Sequence, residues 1–472
     1  MKNISLWSKA LACSLSFLLI AMASLTSAAA QAVAPVNGTP ITLIPVTINN
    51  GAGDQYDPHI SGDWTAYTSD SSIRYYNFAT NTDAAIPMGS SARDLLSDIS
   101  GSKIVFSRVI TAVKTAVMVF ETATAATPIE IDAAVGSNRI GSAIGGNTVA
   151  YMDFGLEAHG EVVIHDLTTS TSQRITNDVL FAQNPSVSPD GAVVTWEQCS
   201  TSTTNCDIWQ AVKSGAVWTV SAAANSANPE ANPDTNGSLV VYDSIRGLDR
   251  GDIFWRPVGG GAELQLQLPS VEANPSIAGN LIAFESRPTL FSTSDIFAYD
   301  IATNLLYQIT DTPLVTEQLN DITVLPDGKI RVVWASDEDD FDQRNVKGAT
   351  FSLPAVEHNF SGFLQPVENL PILNVINAGQ AVPVKFSLSG YKGLNIFAAG
   401  YPISSQILCE SNEPGAVIEE TVVAGGSSLS YDAAADLYTY VWKTSKAWKN
   451  SCRIFAVRLS DGSDHFAKFR FR

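Results

Sequence analysis

A small set of polar residues in this sequence has the type and placement needed to bind a ligand. An Asp or Asn recurs at the start of successive segments, usually directly before a proline; the set is Asp57, Asn184, Asn232, Asn274 and Asn320. Such side chains either converge on a ligand through hydrogen bonds or bond the nearby backbone in a turn. We predict that they form a polar ring, and we favour the turn role as the simpler explanation.

His59 follows Asp57-Pro58 and is the histidine best placed to join such a ring. An imidazole titrates near neutral pH, so it suits ligand binding or a general base. The other explanation, which we favour, is a histidine in a solvated turn. The remaining histidines are scattered without metal-ligand spacing, and they predict no metal site: His159, His165, His358 and His465.

The densest acidic stretch covers residues 337–342 and follows a predicted strand that ends at Trp334. Calcium binding needs several oxygens that converge on one centre. The stretch lacks the D-x-D-x-D-G spacing with a distant Glu, so a solvated acidic loop is the favoured interpretation. Calcium at Asp337, Asp339 and Asp340 is the one cofactor that the sequence leaves open.

Local catalytic motifs are absent from the sequence. It contains no G-x-S-x-G, H-E-x-x-H or G-x-G-x-x-G pattern and no P-loop. We therefore assign no catalytic residue. Sites assembled from distant segments leave no local motif, so this absence weakens the case for an enzyme only slightly.

Charge separates the chain into two parts. The 472 residues contain 28 Lys and Arg against 47 Asp and Glu, a net charge of −19. Residues 31–356 hold 16 basic and 37 acidic residues, whereas residues 357–472 hold ten of each. An acidic surface repels phosphate backbones, so nucleic acid is excluded as a partner.

The first 30 residues predict a secretory signal peptide. Lys2 and Lys9 precede an apolar stretch from residue 10 to 23, and small residues follow, with cleavage expected near Ala28 or Ala30. An N-terminal membrane anchor is the alternative, but the apolar stretch is short for a span. No later stretch approaches a membrane span, so we expect a secreted, extracellular or periplasmic protein.

Four cysteines lie beyond the predicted signal peptide, and they fall into two pairs far apart in the chain. An even count in an oxidising compartment favours disulfide bonds. We predict Cys199–Cys206 and Cys409–Cys452. A zinc site is the alternative, but no C-x-x-C spacing is present.

A repeat organises residues 41–353. A turn with Gly or Asp-Gly precedes a short apolar strand that ends in an aromatic residue, and this pattern occurs seven times. The aromatic residues are Tyr67, Phe106, Tyr151, Trp196, Tyr242, Phe284 and Trp334. Each copy is flanked by further strands, which gives four short strands per unit of about 45 residues. This arrangement is typical of a β-propeller blade.

The seventh unit lacks a fourth strand, and the segment from Ile41 to Ile48 is a single strand without a unit of its own. We predict that this segment completes the seventh unit and closes the ring, because closure removes exposed sheet edges. The fold class is therefore all-β, with a seven-bladed propeller and six blades as the alternative. The Asn-Pro openings, Gly turns and Asp-Ile-aromatic strands resemble the TolB-like propellers.

Residues 357–472 predict a second domain. Its strands alternate apolar and polar residues, which favours a small β-sandwich of Ig-like type. Pro383, Lys385 and Phe386, together with the strand from Tyr438 to Lys443, resemble the PxKF domain. The resemblance implies an accessory module of exported bacterial proteins, without an activity.

These patterns favour an exported, non-catalytic binding or scaffold protein. Its propeller loops would recognise a protein or glycan ligand at the mouth of the channel. The alternative is a propeller-type carbohydrate-active enzyme, either a polysaccharide lyase or a glycoside hydrolase, whose acid and base come from separate blades.

Overall fold

The computed structural model describes residues 30–88, 93–133, 138–156, 159–200, 205–246, 251–338, 343–354, 358–394, 396–398, 400–410, 418–423 and 429–472. Strands dominate these residues, and one short 3-10 helix occurs at Lys446–Trp448. Within the same ranges, no helix has the length and apolar character needed to span a membrane. Asp339 and Asp340 of the predicted calcium loop lie outside the described residues.

The chain begins with three short strands, β1 (Gln31–Val33), β2 (Val36–Asn37) and β3 (Ile44–Asn49). The strands that follow form antiparallel sheets in groups of four. Sheet 1 contains β4 (Gln55–Ser61), β5 (Trp64–Ser69), β6 (Ser72–Asn77) and β7 (Thr82–Ala85). Sheet 2 contains β8 (Arg93–Ser100), β9 (Lys103–Thr111), β10 (Lys114–Glu121) and β11 (Ile129–Glu130). Sheet 3 contains β12 (Arg139–Gly145), β13 (Thr148–Asp153), β14 (Glu161–Asp166) and β15 (Thr171–Arg174).

The next sheets repeat this pattern. Sheet 4 contains β16 (Phe181–Val187), β17 (Val193–Cys199), β18 (Cys206–Ser214) and β19 (Val217–Ala224). Sheet 5 contains β20 (Glu230–Thr235), β21 (Leu239–Ile245), β22 (Gly251–Pro257) and β23 (Leu264–Leu266). Sheet 6 contains β24 (Val271–Ala278), β25 (Leu281–Arg287), β26 (Asp295–Asp300) and β27 (Leu305–Gln308). Sheet 7 contains β28 (Glu317–Val324), β29 (Ile330–Ser336) and β30 (Asn345–Phe351), followed by β3.

The pairing of β3 with β30 confirms that the N-terminal strand completes the seventh sheet. Ile44 pairs with Thr350 and Val46 with Gly348 in an antiparallel register. In addition, β1 pairs in parallel with β23, and β2 pairs in parallel with β27. The sequence did not predict these two additional strands. Residues 31–49 therefore lie along the outer edges of sheets 5, 6 and 7.

The sequence repeat has a local physical cause in each sheet. The glycine between the first and second strands has a positive φ in all seven sheets, where a side chain would be strained: Gly62, Gly101, Gly146, Gly191, Gly237, Gly279 and Gly328. The aromatic residue of each second strand is at most 5% exposed. These aromatic rings fill the space within and between sheets and are not available for ligand stacking.

The C-terminal residues form two further sheets. Their strands are β31 (Phe363–Leu364), β32 (Leu373–Ile376), β33 (Ala381–Phe386), β34 (Ile403–Ile407), β35 (Ile418–Glu420), β36 (Val422–Val423), β37 (Ser430–Asp432), β38 (Leu437–Lys443), β39 (Cys452–Arg458) and β40 (Asp464–Phe471). One sheet has the order β31-β33-β38-β36, with β37 also on β38, and the other has the order β32-β40-β39-β34-β35.

A shared apolar core joins these two sheets. It contains Val384 and Trp442 from one sheet and Phe455 and Phe469 from the other. Phe469 and Phe471 of β40 belong to this core, and Lys468 is only 6% exposed. Lys468 pairs with Leu373 on β32 and with Ile454 on β39, so its neighbours on that face of the sheet are apolar side chains, which the alternation along β40 alone does not reveal.

Both predicted disulfide bonds are present. Cys199 and Cys206 face each other across β17 and β18, and Cys409 is bonded to Cys452 at the start of β39. Each bond lies within one part of the chain, one in sheet 4 and one in the C-terminal sheets. The two parts touch at Gly393, where an added Cβ would lie 1.9 Å from the Ala302 carbonyl oxygen.

Candidate functional site

The first strand of every sheet between residues 55 and 324 carries the same irregularity. The register with the second strand shifts by one residue in the middle of the first strand, for example between Tyr56 and His59, so that two residues of the first strand lie opposite one residue of the second. The first of the two unpaired residues has a φ between 47° and 64° in each case. The seven residues are Asp57, Leu96, Gly141, Asn184, Asn232, Asn274 and Leu319. Gly, Asn and Asp adopt this conformation most readily, which explains the recurring residue types.

These bulges line one central cavity of about 500 Å³. All seven first strands contribute to its wall, and every residue of the predicted ring lies there: Asp57, His59, Asn184, Asn232, Asn274 and Asn320. The predicted alignment of the seventh unit with the others was wrong by one residue. Leu319, not Asn320, occupies the positive-φ position of sheet 7. Asn320 instead corresponds to the prolines of sheets 1, 4, 5 and 6.

Carboxylates on the second strands link neighbouring sheets, and each also accepts a hydrogen bond from an asparagine side chain of its own sheet. Asn184 Nδ2 donates to Glu197 Oε1 at 2.8 Å, and the same oxygen accepts the backbone N–H of Asn232 in the next sheet at 2.8 Å. Asp243 links Asn232 to the Asn274 backbone in the same way, at 2.8 and 2.9 Å. Burial raises the pKa of the Asp243 carboxyl to about 6. The side chains of Asn184 and Asn232 thus bond carboxylates on the second strand, whereas the turn role favoured from the sequence had them bond nearby backbone.

The third link of this series runs from sheet 6 to sheet 7. Asn274 Nδ2 donates to Glu285 Oε1, and the Leu319 backbone N–H donates to the same oxygen at 2.8 Å. Burial raises the pKa of Glu285. The three carboxylates Glu197, Asp243 and Glu285 are thus residues of the site region that the sequence did not single out. Each lies on a second strand and pairs with the residue directly before the bulge.

His59 is surrounded by carboxylates where sheets 7, 1 and 2 meet. Its Nε2 lies 3.7 Å from Asp57 Oδ1, and its Nδ1 lies 3.6 Å from Asp98 Oδ1 and 3.7 Å from Asp321 Oδ2. Burial in the channel lowers the pKa of His59, but the neighbouring carboxylates of Asp57, Asp98 and Asp321 raise it by more, to about 10. The side chain is 36% exposed, toward the cavity. His59 is therefore an imidazolium at neutral pH and not a turn histidine in bulk water.

Three aspartates hold the sheets together around the cavity. Asp98 accepts the Ile144 backbone N–H at 2.7 Å. Asp234 and Asp321 accept those of Ile277 and Ile60, each at 2.8 Å. Each bond joins one sheet to the next, and the Asp321 bond joins sheet 7 to sheet 1.

Burial also changes the acidity of these aspartates. It raises the pKa of Asp98, and it raises that of Asp321 to about 7 despite the neighbouring His59 cation. The sequence missed all three aspartates. The signal that would have found them is their position two residues after the positive-φ residue of the bulge, which is also the position of His59.

Three buried polar atoms of the cavity wall have no hydrogen-bond partner among the described residues. They are Ser97 Oγ, Ser142 Oγ and Asn320 Oδ1. These residues are 2%, 6% and 9% exposed, and all three occupy the second bulge position. Buried polar atoms without a partner are costly and uncommon in proteins. No Lys or Arg belongs to the described cavity wall, so the cavity favours cationic or hydrogen-bond-donating groups over anions.

A metal site is not preformed in the described ranges of the chain. The single cluster of candidate ligands there is Glu197 with Cys199 and Cys206, and both cysteines belong to a disulfide bond. Asp337, of the predicted calcium loop, accepts the Thr316 backbone N–H. Calcium at Asp337, Asp339 and Asp340 therefore stays a prediction.

Solved structures with similar folds include prolyl endopeptidases, at 15% sequence identity and a TM-score of 0.50. That match covers 74% of this chain and 57% of the endopeptidase chain. TolB from Acinetobacter baumannii matches at 16% identity and a TM-score of 0.37, over 62% of this chain and 77% of its own. The β-propeller domain of the trilobed protease from Pyrococcus furiosus matches at 11% identity and a TM-score of 0.47, over 62% and 94%.

No protein-family model matches the chain, and no curated protein matches it. The structural similarities therefore establish the fold alone. The protein is all-β and contains a β-propeller.

Proposed function

We propose that this is an exported, non-catalytic binding protein whose central cavity receives part of a protein or glycan ligand. The observation that carries the proposal is the cavity wall, which combines carboxylates with three buried polar atoms that no described residue satisfies. A ligand group that donates hydrogen bonds, or a cationic group, would satisfy these atoms. The TolB-like propeller neighbours agree with a binding role.

The proposal extends to the organisation of the chain. The seven sheets form a seven-bladed propeller, with β3 as the strand that closes it. Residues 357–472 form an Ig-like sandwich of the PxKF type that acts as a spacer or attachment module. Residues 1–30 are a signal peptide, and the two disulfide bonds fit an oxidising compartment outside the cytoplasm.

A carbohydrate-active enzyme is the second candidate, and one observation favours it. Asp321 has a pKa raised to about 7 by burial and lies 3.7 Å from the His59 ring, which is a plausible pair for proton transfer. However, both Asp321 oxygens already accept backbone N–H bonds, from Ile60 and Ile322. This use of the carboxylate in joining sheets makes binding the better-supported function.

The test is a binding screen of the mature protein against a glycan array and a set of cationic peptides. Hits are then measured with the Ser97→Ala/Ser142→Ala variant. The two hydroxyls have no partner among the described residues, so their removal should leave the fold intact. We expect weaker ligand binding by the double variant and no change in Ala112→Ser, at an exposed turn position outside the cavity wall. Equal binding by all three proteins, or turnover of a glycan hit, would contradict the proposal.

A further inference from the structure

The outer edges of the propeller sheets differ in how they are covered. The N-terminal strap, which we define as residues 30–49, covers sheets 5, 6 and 7. On sheet 5 the Gln31 N–H donates to the Glu263 carbonyl at 2.9 Å, and Gln267 N–H donates to Val33 at 2.8 Å. On sheet 6 the Val36 N–H donates to the Asn304 carbonyl at 2.9 Å.

The strap shows what an outer edge of this propeller accepts. Val33 packs against the apolar cluster between sheets 5 and 6. Gly38 lies so close to the Tyr307 ring that an added Cβ would be 2.3 Å from it. The segment from Gln31 to Asn37 is uncharged and has small or apolar side chains apart from its two amides. An outer edge therefore accepts an extended, uncharged chain through backbone hydrogen bonds.

The outer edges of sheets 1 to 4 have no added strand among the described residues. Three of these edges are short. β7 has four residues, β11 has two and β15 has four. β7 also carries Asp83 in an ion pair with Arg74, and β15 ends in Arg174. Short strands and charges are the usual protection of a sheet edge against further pairing.

β19 in sheet 4 lacks this protection. It has eight residues, V-W-T-V-S-A-A-A, without a charge or a proline. Val217 is 64% exposed and Val220 is 38% exposed. Its register with β18 is continuous from Val217 to Ala222, so the open edge is regular over this length. A long, uncharged and regular edge strand presents an ordered row of backbone donors and acceptors.

We propose that β19 is a docking strand for an extended, uncharged segment of a partner protein, rich in small apolar residues, that adds as a fifth strand of sheet 4. The strap indicates the kind of segment, since it occupies the corresponding edge of sheet 5. It also leads toward β19, because Ala30 packs against the cluster that contains Ala223 and Ala224. The acidic charge of the propeller opposes edge-to-edge pairing of two copies and favours a segment from another protein.

The experiment uses the full mature chain and a labelled synthetic peptide with the sequence of residues 30–37, blocked at both ends. Fluorescence anisotropy measures binding, and hydrogen exchange locates it. We expect the peptide to protect the amides of residues 217–222. The variant Val217→Lys/Val220→Lys should weaken binding at least about tenfold, because a charge on the edge disfavours pairing. Gln173→Lys on β15 is the matched control, and its binding should stay within about twofold of the native protein.

Two outcomes would overturn the proposal. One is the absence of peptide binding, or protection at an edge other than β19. The other is sedimentation of the native chain as a dimer that the double lysine variant dissociates, which would assign the edge to a second copy. If the double variant does not fold, Thr219→Lys, at an exposed position of the same edge, takes its place with the same expected loss.

Discussion

Replacing His59 with glutamine removes the one cation from the ring of carboxylates at the junction of sheets 7, 1 and 2. Asp57, Asp98 and Asp321 then lose their positive neighbour, which lies 3.6–3.7 Å away in the native protein. Removing one partner from a partly buried ion cluster is costly, because the remaining charges stay desolvated. We therefore expect the variant to fold with a less stable propeller.

The raised pKa of His59 sets the size of the expected loss of folding stability. A rise from 6.5 to about 10 would correspond to at most about 5 kcal/mol, at about 1.4 kcal/mol per unit. Because the side chain is 36% exposed, solvent screening reduces this value, and we expect about 2 kcal/mol. Since the folded-state pKa is raised, this stabilisation is fully present below pH 6.5 and is lost as the pH rises through 10.

At low pH, the stability difference between the native protein and His59→Gln has a separate cause. The Asp321 pKa is also raised, to about 7, so its proton already stabilises the folded state at acid pH. Without the His59 cation, the pKa of Asp321 rises further, and the variant gains more stability than the native protein as the pH falls from 7 to 4. The stability difference between the two proteins should therefore be largest near pH 7 and smaller on either side.

The assay is urea unfolding of both proteins at a series of pH values from 4 to 10, followed by tryptophan fluorescence. Comparing the two proteins cancels the titration of the shared groups that do not contact His59. His165→Gln is the matched control. Burial lowers the pKa of His165, so its substitution should not change the pH dependence above pH 6.5. Equal stability of native protein and His59→Gln at pH 7, or a difference that does not vary with pH, would refute this reasoning.

Three further expectations concern how the chain is held together. Deleting residues 41–49 should uncover the edge of β30 and cause aggregation or poor secretion, and a monomeric variant with native melting would contradict ring closure. Glu197→Ala should lower stability by about 2–4 kcal/mol in thermal melts, because three donors lose their acceptor. A change below about 1 kcal/mol would argue against Glu197 as a stabilising link between sheets 4 and 5. Residues 357–472 alone should fold with the Cys409–Cys452 bond, and its reduction should cost about 2–5 kcal/mol; free thiols found by mass spectrometry would refute this.

The parts of the fold that the sequence predicts have local causes. A glycine with positive φ and a buried aromatic residue recur in each unit because each sheet needs one tight turn and one large side chain in its core. The pairing of β3 with β30 was predictable from the number of strands per unit, because the last unit lacked its fourth strand and the first segment was a single strand without a unit. The strands β1 and β2 were not predictable, because two or three residues paired in parallel carry no periodicity.

The candidate site was only partly predictable for a related reason. Asp-Pro and Asn-Pro mark the bulge in sheets 1, 4, 5 and 6, but Leu96, Gly141 and Leu319 occupy it elsewhere. If these three positions are not recognised as bulge residues, the seven units are aligned incorrectly, and Asn320 is placed one residue out of register. The aspartates that follow the bulge become visible only when all seven bulges are superposed.

The cavity wall therefore contains two kinds of polar residue that sequence cannot distinguish. Asn184 and Asn232 look like ligand-binding residues, yet their side chains already bond Glu197 and Asp243, the carboxylates that join neighbouring sheets. Ser97 and Ser142 look unremarkable in the sequence, yet their hydroxyls lack a described partner inside the same cavity. Replacing a residue whose side chain takes part in joining the sheets should change stability, whereas replacing an unpartnered hydroxyl should change ligand binding alone. Hydrogen-bond satisfaction, rather than residue type, is thus the property that separates the residues which join the sheets from those to which the proposed function assigns a ligand.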